Sequence, residues 1–274
     1  MKKKTPIIVL AIVITIALLV VNAIFINPHT TKVRQEAITS NKIGKSLNNT
    51  LIAYFSDLKY AKETLDITTR AIDNINAFKP DLILFGGDLL RTDYKLTEEE
   101  TNMLIKLLAS LKAPLGKYAV LGDEDNREDV RKIIEDSGFV ILDNRSVKIY
   151  NGSSYLELVG LENMINGQKD LAKAYADVNS DSFILTLSHC PDSIEEISSY
   201  PSDYFLAGHS LGGSIYIPIF NSFYRFKGAE KHFHGSDIIN GTYLEITNCV
   251  GLGKSKARLF ADSEIVLYKL SSAS

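Results

Sequence analysis

Two cysteines in 274 residues, Cys190 and Cys249, are too few to staple a disulfide scaffold, so the chain must hold its fold with a packed core. Separate packed thiols are one reading of the pair and a single disulfide is the other. Outside the first few residues there is no lysine- or arginine-rich tract. With a net charge of −3 and a pI near 6.0, the chain carries no basic field, and no nucleic-acid partner is expected. Internal repeats and low-complexity segments are also missing, which excludes a solenoid and leaves hydrophobic periodicity as the guide to organisation.

What is present begins with one long apolar run. Lys2 to Lys4 make a positive start, and Pro6 to Ile26 follow almost without a polar group, interrupted only by Thr15 and Asn22. At about 1.5 Å per residue the run reaches about 30 Å, the thickness of a bilayer's hydrocarbon core. Val21-Asn22-Ala23 loosely resembles a signal-peptidase site, but the run continues through Ile24, Phe25 and Ile26, beyond the roughly 7–15 residues of a signal h-region. A retained single-pass anchor is therefore expected, with residues 1–5 cytoplasmic, 6–26 in the cell membrane and the rest on the extracytoplasmic face. Lys32 and Arg34 weaken the charge contrast behind that orientation. Residues 27–48 read as a linker and leading strand, and 49–274 as one globular domain.

Within the domain, short apolar runs alternate with amphipathic stretches. "LIAYFSD" (51–57), "DLILFGGD" (81–88) and "GKYAVLGDED" (116–125) read as strands, with helices over Leu65 to Phe78 and Leu96 to Leu111 stopped by Pro80 and Pro114. Beyond them the pattern turns strand-rich: "GFVIL", "SVKIY", "YLELVG", "SFILTLSH", "DYFLAGH", "SIYIPIF", "TYLEITNCVG" and "EIVLYKL". The result is a βαβαβ half followed by a mostly β half.

Polar residues recur where these strands end. Asp57, Asp88, Asp123, His189 and His209 each follow an apolar run, and strand C-termini are where sites form in α/β sheets. A lone Asp there is ordinarily a helix cap or turn residue. Five carboxylate and imidazole groups in series instead point to a divalent transition metal: Mn, Fe or Zn.

The stretch "AGHSLGG" (207–213) has two readings. Gly208 to Gly212 fits the G-x-S-x-G elbow of a serine hydrolase with Ser210 as nucleophile, and the same residues fit a metal-binding Gly-His-x-His whose second histidine has become Leu211. An elbow must turn straight into a helix, yet "GGSIYIPIF" is glycine-rich, β-branched and carries Pro218, which reads as a strand. The serine hydrolase is accordingly the remote alternative.

In order, "SDLKY", "GGDLL", "LGDED", "LSHCPD" and "AGHSLGG" resemble the motifs of the calcineurin-like metallophosphoesterases, in particular their small membrane-anchored bacterial branch, over about residues 30–270. The resemblance implies a four-layer α/β/β/α sandwich of two mixed sheets, and two adjacent metals that hold and polarise a phosphoester. Carried over, one metal takes Asp57, position 59, a bridging Asp88 and position 211, while the other takes Asp88, position 123, His189 and His209. Lysine and leucine stand at 59 and 211, so one complete site and one doubtful one are expected, with Asp123 in place of the family's asparagine. The resemblance also puts the proton donor for the leaving group at 124. Glu124 serves only if it is protonated, and its neighbours Asp123 and Asp125 push that way; Glu124, Asp125 and Lys59 are the candidate catalytic residues.

The expected function is a membrane-anchored, metal-dependent phosphoester hydrolase with an altered first half-site. The alternative is a degenerate pseudo-phosphoesterase that binds or scaffolds. Partners would be a phosphoester, a lipid-linked one among the candidates, and the membrane itself. His232 and His234 in "KHFHG" offer further ligands or plain surface, and residues 215–224 read as core strand or as apolar side chains facing lipid head groups. Loops over Gly160 to Lys169 and Phe220 to Ser236 would choose the substrate.

Overall fold

The computed structural model describes residues 4–218, 221, 222, 224–253 and 256–273. Helix α1 (Lys4–Val21) continues through helical turns to His29, and after Thr30 the chain enters strand β1 (Thr31–Ser40). Within residues 27–48, expected as linker and leading strand, β1 occupies Thr31–Ser40. Then come β2 (Leu51–Phe55), α2 (Leu65–Phe78), β3 (Leu82–Phe85), α3 (Glu98–Ala109), β4 (Lys117–Ala119), α4 (Glu128–Asp136) and β5 (Val140–Ile141). The second half contains β6 (Arg145–Asn151), β7 (Ser154–Gly160), α5 (Leu171–Ala174), β8 (Ile184–Leu187) and β9 (Tyr204–Ala207). It ends with β10 (Tyr216–Ile217), β11 (Asn221–Ser222), β12 (Gly235–Ile239), β13 (Thr242–Ile246) and β14 (Ser263–Ser272).

Local chemistry sets the helix limits. Ile67, Ala71, Ile72 and Ile75 put one buried face on α2, and Lys79 ends it in a left-handed conformation (φ 49°) ahead of Pro80. Thr97 and Glu100 form a reciprocal capping box at the start of α3.

The strands form two six-stranded sheets, ordered β1-β14-β2-β3-β4-β5 and β12-β13-β9-β8-β7-β6. In the first, β2 to β5 run parallel, β14 is antiparallel to β2, and β1 runs parallel to β14. In the second, β7, β8, β9 and β13 are parallel, with β6 and β12 antiparallel at the edges. Ile52, Tyr54, Leu82 and Leu84 pack against Leu156, Leu158, Leu185 and Leu187 between the sheets. Helices α2, α3 and α4 cover the outer face of the first sheet through Ile72, Leu104 and Ile133, and α5 with the 191–197 turns covers the second. This is the four-layer α/β/β/α sandwich. Both faces of β2, β3 and β8 are buried, which explains their unbroken apolar runs.

One detail differs from the sequence reading. The described part of 215–224 is not a core strand: β10 and β11 form a separate two-stranded ribbon, with Gly212 and Gly213 at positive φ just before it, and residues 219, 220 and 223 lie outside the described residues. Strand β4 stops at Ala119 and the chain runs through the buried Val120 and Leu121 into a loop, as the sequence reads. Cys190 and Cys249 are separate buried thiols.

Helix α1 stays outside the sandwich, with Ile7, Leu10, Ile14 and Leu18 all more than half exposed. Each such side chain gains about 1.5–3 kcal/mol on leaving water, so the helix needs a bilayer around it or needs to be removed. It is long and apolar enough to cross a membrane, a test that a signal sequence also passes.

Arg258 has no exposed surface. Its guanidinium donates to the carbonyls of Leu211 (2.9 Å), Asn248 (2.6 Å), Ala261 (3.1 Å) and Gly251, tying three loops together without a carboxylate partner. Burial lowers its pKa from the ordinary arginine value. Replacing it by Met removes the donors and leaves those carbonyls unsatisfied, so Arg258→Met is expected to cost at least about 3 kcal/mol, read as a fall in the thermal unfolding midpoint. An unchanged midpoint would show that the loops hold without it.

Candidate metal centre

Parallel register brings the strand ends to one edge of the sandwich. Asp57 follows β2, Asp88 follows β3, Asp123 to Asp125 follow β4, His189 follows β8 and His209 follows β9. Asp57, Lys59, Asp88, His209 and Leu211 all have positive φ, between 42° and 65°. Each costs of order 1 kcal/mol for a non-glycine residue, and such strain persists only where surrounding structure enforces it. Gly122 has to be glycine here because a Cβ would enter the Asp88 carboxylate.

At the centre, His189 Nε2 and His209 Nδ1 lie 3.0 Å apart. The outer nitrogens face carbonyls, His189 Nδ1 on Gly86 O at 2.7 Å and His209 Nε2 on Lys227 O at 2.8 Å. A carbonyl only accepts, so both outer nitrogens carry the proton, and two neutral rings would aim lone pairs at each other. Asp123 Oδ1 is 3.2 Å from both inner nitrogens, and Asp88 Oδ2 is 3.4 Å from His189 Nε2. Four donor groups therefore surround a point that requires a positive charge. Burial works against a charged His189, yet Asp88 and Asp57 raise its pKa well above the usual histidine value. Burial likewise opposes ionisation of Asp123, but its hydrogen bonds to His189 and His209 hold it well below the usual carboxylate range.

Asp57 lies beside this set, and Asp57, Asp88, His189 and His209 each offer an atom within 4.8 Å of the others. Its Oδ2 accepts from Ser56 Oγ (2.6 Å), the His209 N–H (2.9 Å) and Cys249 Sγ (3.1 Å). Oδ1 is buried and has no hydrogen-bond partner among the described residues. It faces the Lys59 ammonium at 3.7 Å, which also sits 2.6 Å from Asp88 Oδ2 and 3.2 Å from Glu124 Oε2. Lys59 is therefore directed inward rather than to solvent, with only 8% of its surface exposed. Burial would lower its pKa, but Asp88, Asp57 and Glu124 together raise it well above the ordinary lysine value. The same ammonium, with His189, overcomes burial to keep Asp88 strongly acidic.

The remaining sequence candidates divide. Glu124 reaches the Lys59 side, where it faces the ammonium at 3.2 Å and accepts the Thr92 N–H at 3.1 Å. Asp125 is not at the reacting edge. It lies behind the Asp88 turn, accepting N–H groups of Asp88 (2.6 Å), Leu89 (2.8 Å) and Gly122 (2.9 Å), and burial with the nearby Asp88 pushes its carboxyl up to about 6. Leu211 is buried and supplies no ligand atom. Ser210 is fully buried, its hydroxyl accepting from the Gly212 N–H, which is not an exposed nucleophile elbow. His232 pairs with Glu195 at 2.7 Å and His234 stacks on Tyr216, so neither joins the centre.

Sequence reasoning missed the residues that orient the centre. Ser56 and Cys249 fix Asp57, and Asn163 and Asn166 donate to the carbonyls of Gly122 and Asp123. Ser56 adjoins a candidate, but nothing local marks Cys249 or Asn163. For Asp125→Ala, three N–H groups lose their acceptor while no group lining the central point changes. The variant is expected to lose about 2–4 kcal/mol of stability in chemical denaturation, with a Tm shift of the same sign. A loss under about 0.5 kcal/mol would remove its bracing role.

No protein-family model matches the chain. Among curated relatives, an uncharacterized metallophosphoesterase, YkuE of Bacillus subtilis, is 26% identical over 255 residues, covering 90% of this chain and 88% of the relative. The phosphodiesterase YaeI of Escherichia coli is 28% identical over 207 residues, 73% of this chain and 74% of the relative. The UDP-2,3-diacylglucosamine pyrophosphatase LpxG of Chlamydia muridarum is 26% identical over 224 residues, 63% of this chain and 66% of the relative. Among solved structures, TT1561 of Thermus thermophilus superposes with a TM-score of 0.51 at 10% identity, over 75% of this chain and 92% of that one, a likeness of fold alone. Alongside the sandwich and the edge cluster, the chain is similar in sequence to proteins named as metallophosphoesterases and phosphodiesterases, and its fold is that of a calcineurin-like phosphoesterase.

Proposed function

We propose that the chain is a membrane-anchored, metal-dependent phosphoester hydrolase that keeps one divalent ion and replaces the second with the ammonium of Lys59. Asp88, Asp123, His189 and His209 would hold the ion, a set that suits Mn, Fe or Zn. One observation carries the reading: two imidazole nitrogens, each with its outer partner fixed on a carbonyl, meet at 3.0 Å inside a ring of carboxylates. The proposed division of the chain is 1–5 cytoplasmic, 6–26 anchor, 27–48 leading strand and 49–274 the hydrolase domain on the extracytoplasmic face.

A divalent ion in this set would supply Lewis-acid polarisation of a phosphoryl oxygen and a more acidic water. Lys59 supplies a second, permanent positive charge on the other side of Asp88, held by Asp88 and Glu124. It can donate to a phosphoryl oxygen without leaving those partners, because an ammonium has three donors. The diacylated nucleotide named for LpxG makes a lipid-linked phosphoester one candidate substrate.

Elemental analysis of the full chain purified in detergent tests the ion. About one transition metal per chain is expected, lost in His189→Ala and in His209→Ala. No metal in the parent protein overturns the reading. Metal without hydrolysis of any aryl phosphodiester or monoester turns it into a metal-stabilised binding domain.

Lys59→Met tests the ammonium. Hydrolysis is expected to fall about 100-fold or more with the metal retained, the effect of removing one charge-stabilising donor. Ser210→Ala, by contrast, is expected to leave the rate within about threefold, far from the loss that follows removal of a nucleophile.

A further inference from the structure

The apolar helix and the metal centre share one edge of the sandwich. Strand β1 starts at Thr31 opposite Ser263, the first residue of β14, and β14 runs antiparallel to β2. The start of β1 therefore lies at the end of β2 that leads into Asp57. Only Thr30 separates the helical segment ending at His29 from β1, so no flexible linker intervenes. The helix end is also fastened sideways. Ala23 O accepts the Arg258 N–H at 2.9 Å, and Asn27 Nδ2 donates to Arg258 O at 3.2 Å.

From Arg258 the contact continues along the same edge. Leu259 exchanges backbone hydrogen bonds with Ser214 and Tyr216, at 2.9 Å each, and so roots the β10–β11 ribbon beside the helix exit. Phe260 and Tyr224, one on each side of that junction, are 51% and 65% exposed, and Phe25 in the helix end is 67% exposed. Tyr224 packs edge-on to Phe226 (4.9 Å between centroids), and Phe226 to His209 (5.7 Å). An aromatic path thus runs from an exposed tip to a ring of the metal centre. Single exposed aromatics are ordinary, but aromatics gathered beside the exit of a membrane-length helix have the chemistry of an interfacial belt.

We propose that the edge carrying the metal centre is pressed against the bilayer holding α1, with Phe260 and Tyr224 seated at head-group level, so that the substrate is a phosphoester displayed at the membrane surface rather than one dissolved in bulk water. This rests on the anchor reading given above. The occupant of the aromatic rim is the lipid surface itself, since a helix without a linker and bonded to Arg258 sets both the distance and the orientation of that edge.

The sequence contains no tryptophan, so single tryptophans report without background. The full chain is placed in vesicles of phosphatidylethanolamine and phosphatidylglycerol whose acyl chains are brominated near the head group. Phe260→Trp and Tyr224→Trp are expected to show blue-shifted emission quenched by brominated lipid. Tyr150→Trp, 59% exposed and paired with Tyr155 at the opposite end of the second sheet, is expected to stay unquenched. Leu10→Trp reports the anchor. If Leu10→Trp is quenched while Phe260→Trp and Tyr224→Trp match Tyr150→Trp, the docking is wrong and the anchor stands. If Leu10→Trp itself is unquenched, the anchor reading falls and the docking falls with it. Far-ultraviolet circular dichroism of each variant establishes that the fold is retained.

Discussion

One carboxylate oxygen, Asp88 Oδ2, faces a lysine ammonium at 2.6 Å on one side and an imidazole nitrogen at 3.4 Å on the other. Everything around it follows from the charge this places in the interior. Asp57, Asp123 and Glu124 crowd the same region, and two like charges 4 Å apart repel by about 4 kcal/mol at an effective dielectric of about 20. Such a cluster folds only with positive charge on both sides of Asp88. Lys59 provides it permanently on one side; on the other, the histidine pair needs a proton or an ion. The strained turns at Asp57, Asp88 and His209 belong to the same problem, since they are what turn these groups inward.

If Lys59 stands where a second metal would sit, as proposed, the chemistry of the edge changes. An ammonium carries one charge instead of two, and its protons donate where a metal would accept electron pairs. It also cannot dissociate. On the proposed reading the two halves of the centre are unequal, one dependent on metal supply and the other on the chain alone. Asp57 bears the mark of this inequality. One of its oxygens is saturated by three donors, while the other is left at 3.7 Å from the ammonium, too far for a hydrogen bond.

Much of the fold was legible because both faces of β2, β3 and β8 are buried, which writes them as unbroken apolar runs with a polar residue at the end. That punctuation singled out Asp57, Asp88, His189 and His209, which the fold brings within 4.8 Å of one another. Strand β12 and helix α4 were not legible: β12 is a half-exposed edge strand, and α4 is only nine residues long and largely polar. The direction of Lys59 could not be read either, since a lysine after a strand end is written the same way whether it reaches solvent or a buried carboxylate. Asp125 was misread for a related reason. Adjacent residues in a turn point to different sides, so Glu124 faces Lys59 while Asp125 faces the backbone behind it. The ribbon at 216–222 had a strand's composition but no sheet to join, which no local pattern records.

Arg258 links the two ends of the chain's organisation. Its backbone holds the end of the apolar helix through Ala23 and Asn27, while its guanidinium holds the carbonyls of Leu211, Asn248, Ala261 and Gly251. Gly251 in turn donates its N–H to the backbone carbonyl of Asp57 at 2.7 Å, so the polar contacts pass from the helix end to the backbone at Asp57 through one side chain. A flexible tether would transmit nothing to the domain it holds. Here the helix end fills part of the surface that encloses a buried, uncompensated guanidinium, and removing it would let water reach that group and free two polar atoms of Arg258. The helix is therefore a structural neighbour of the site as well as a membrane-length segment.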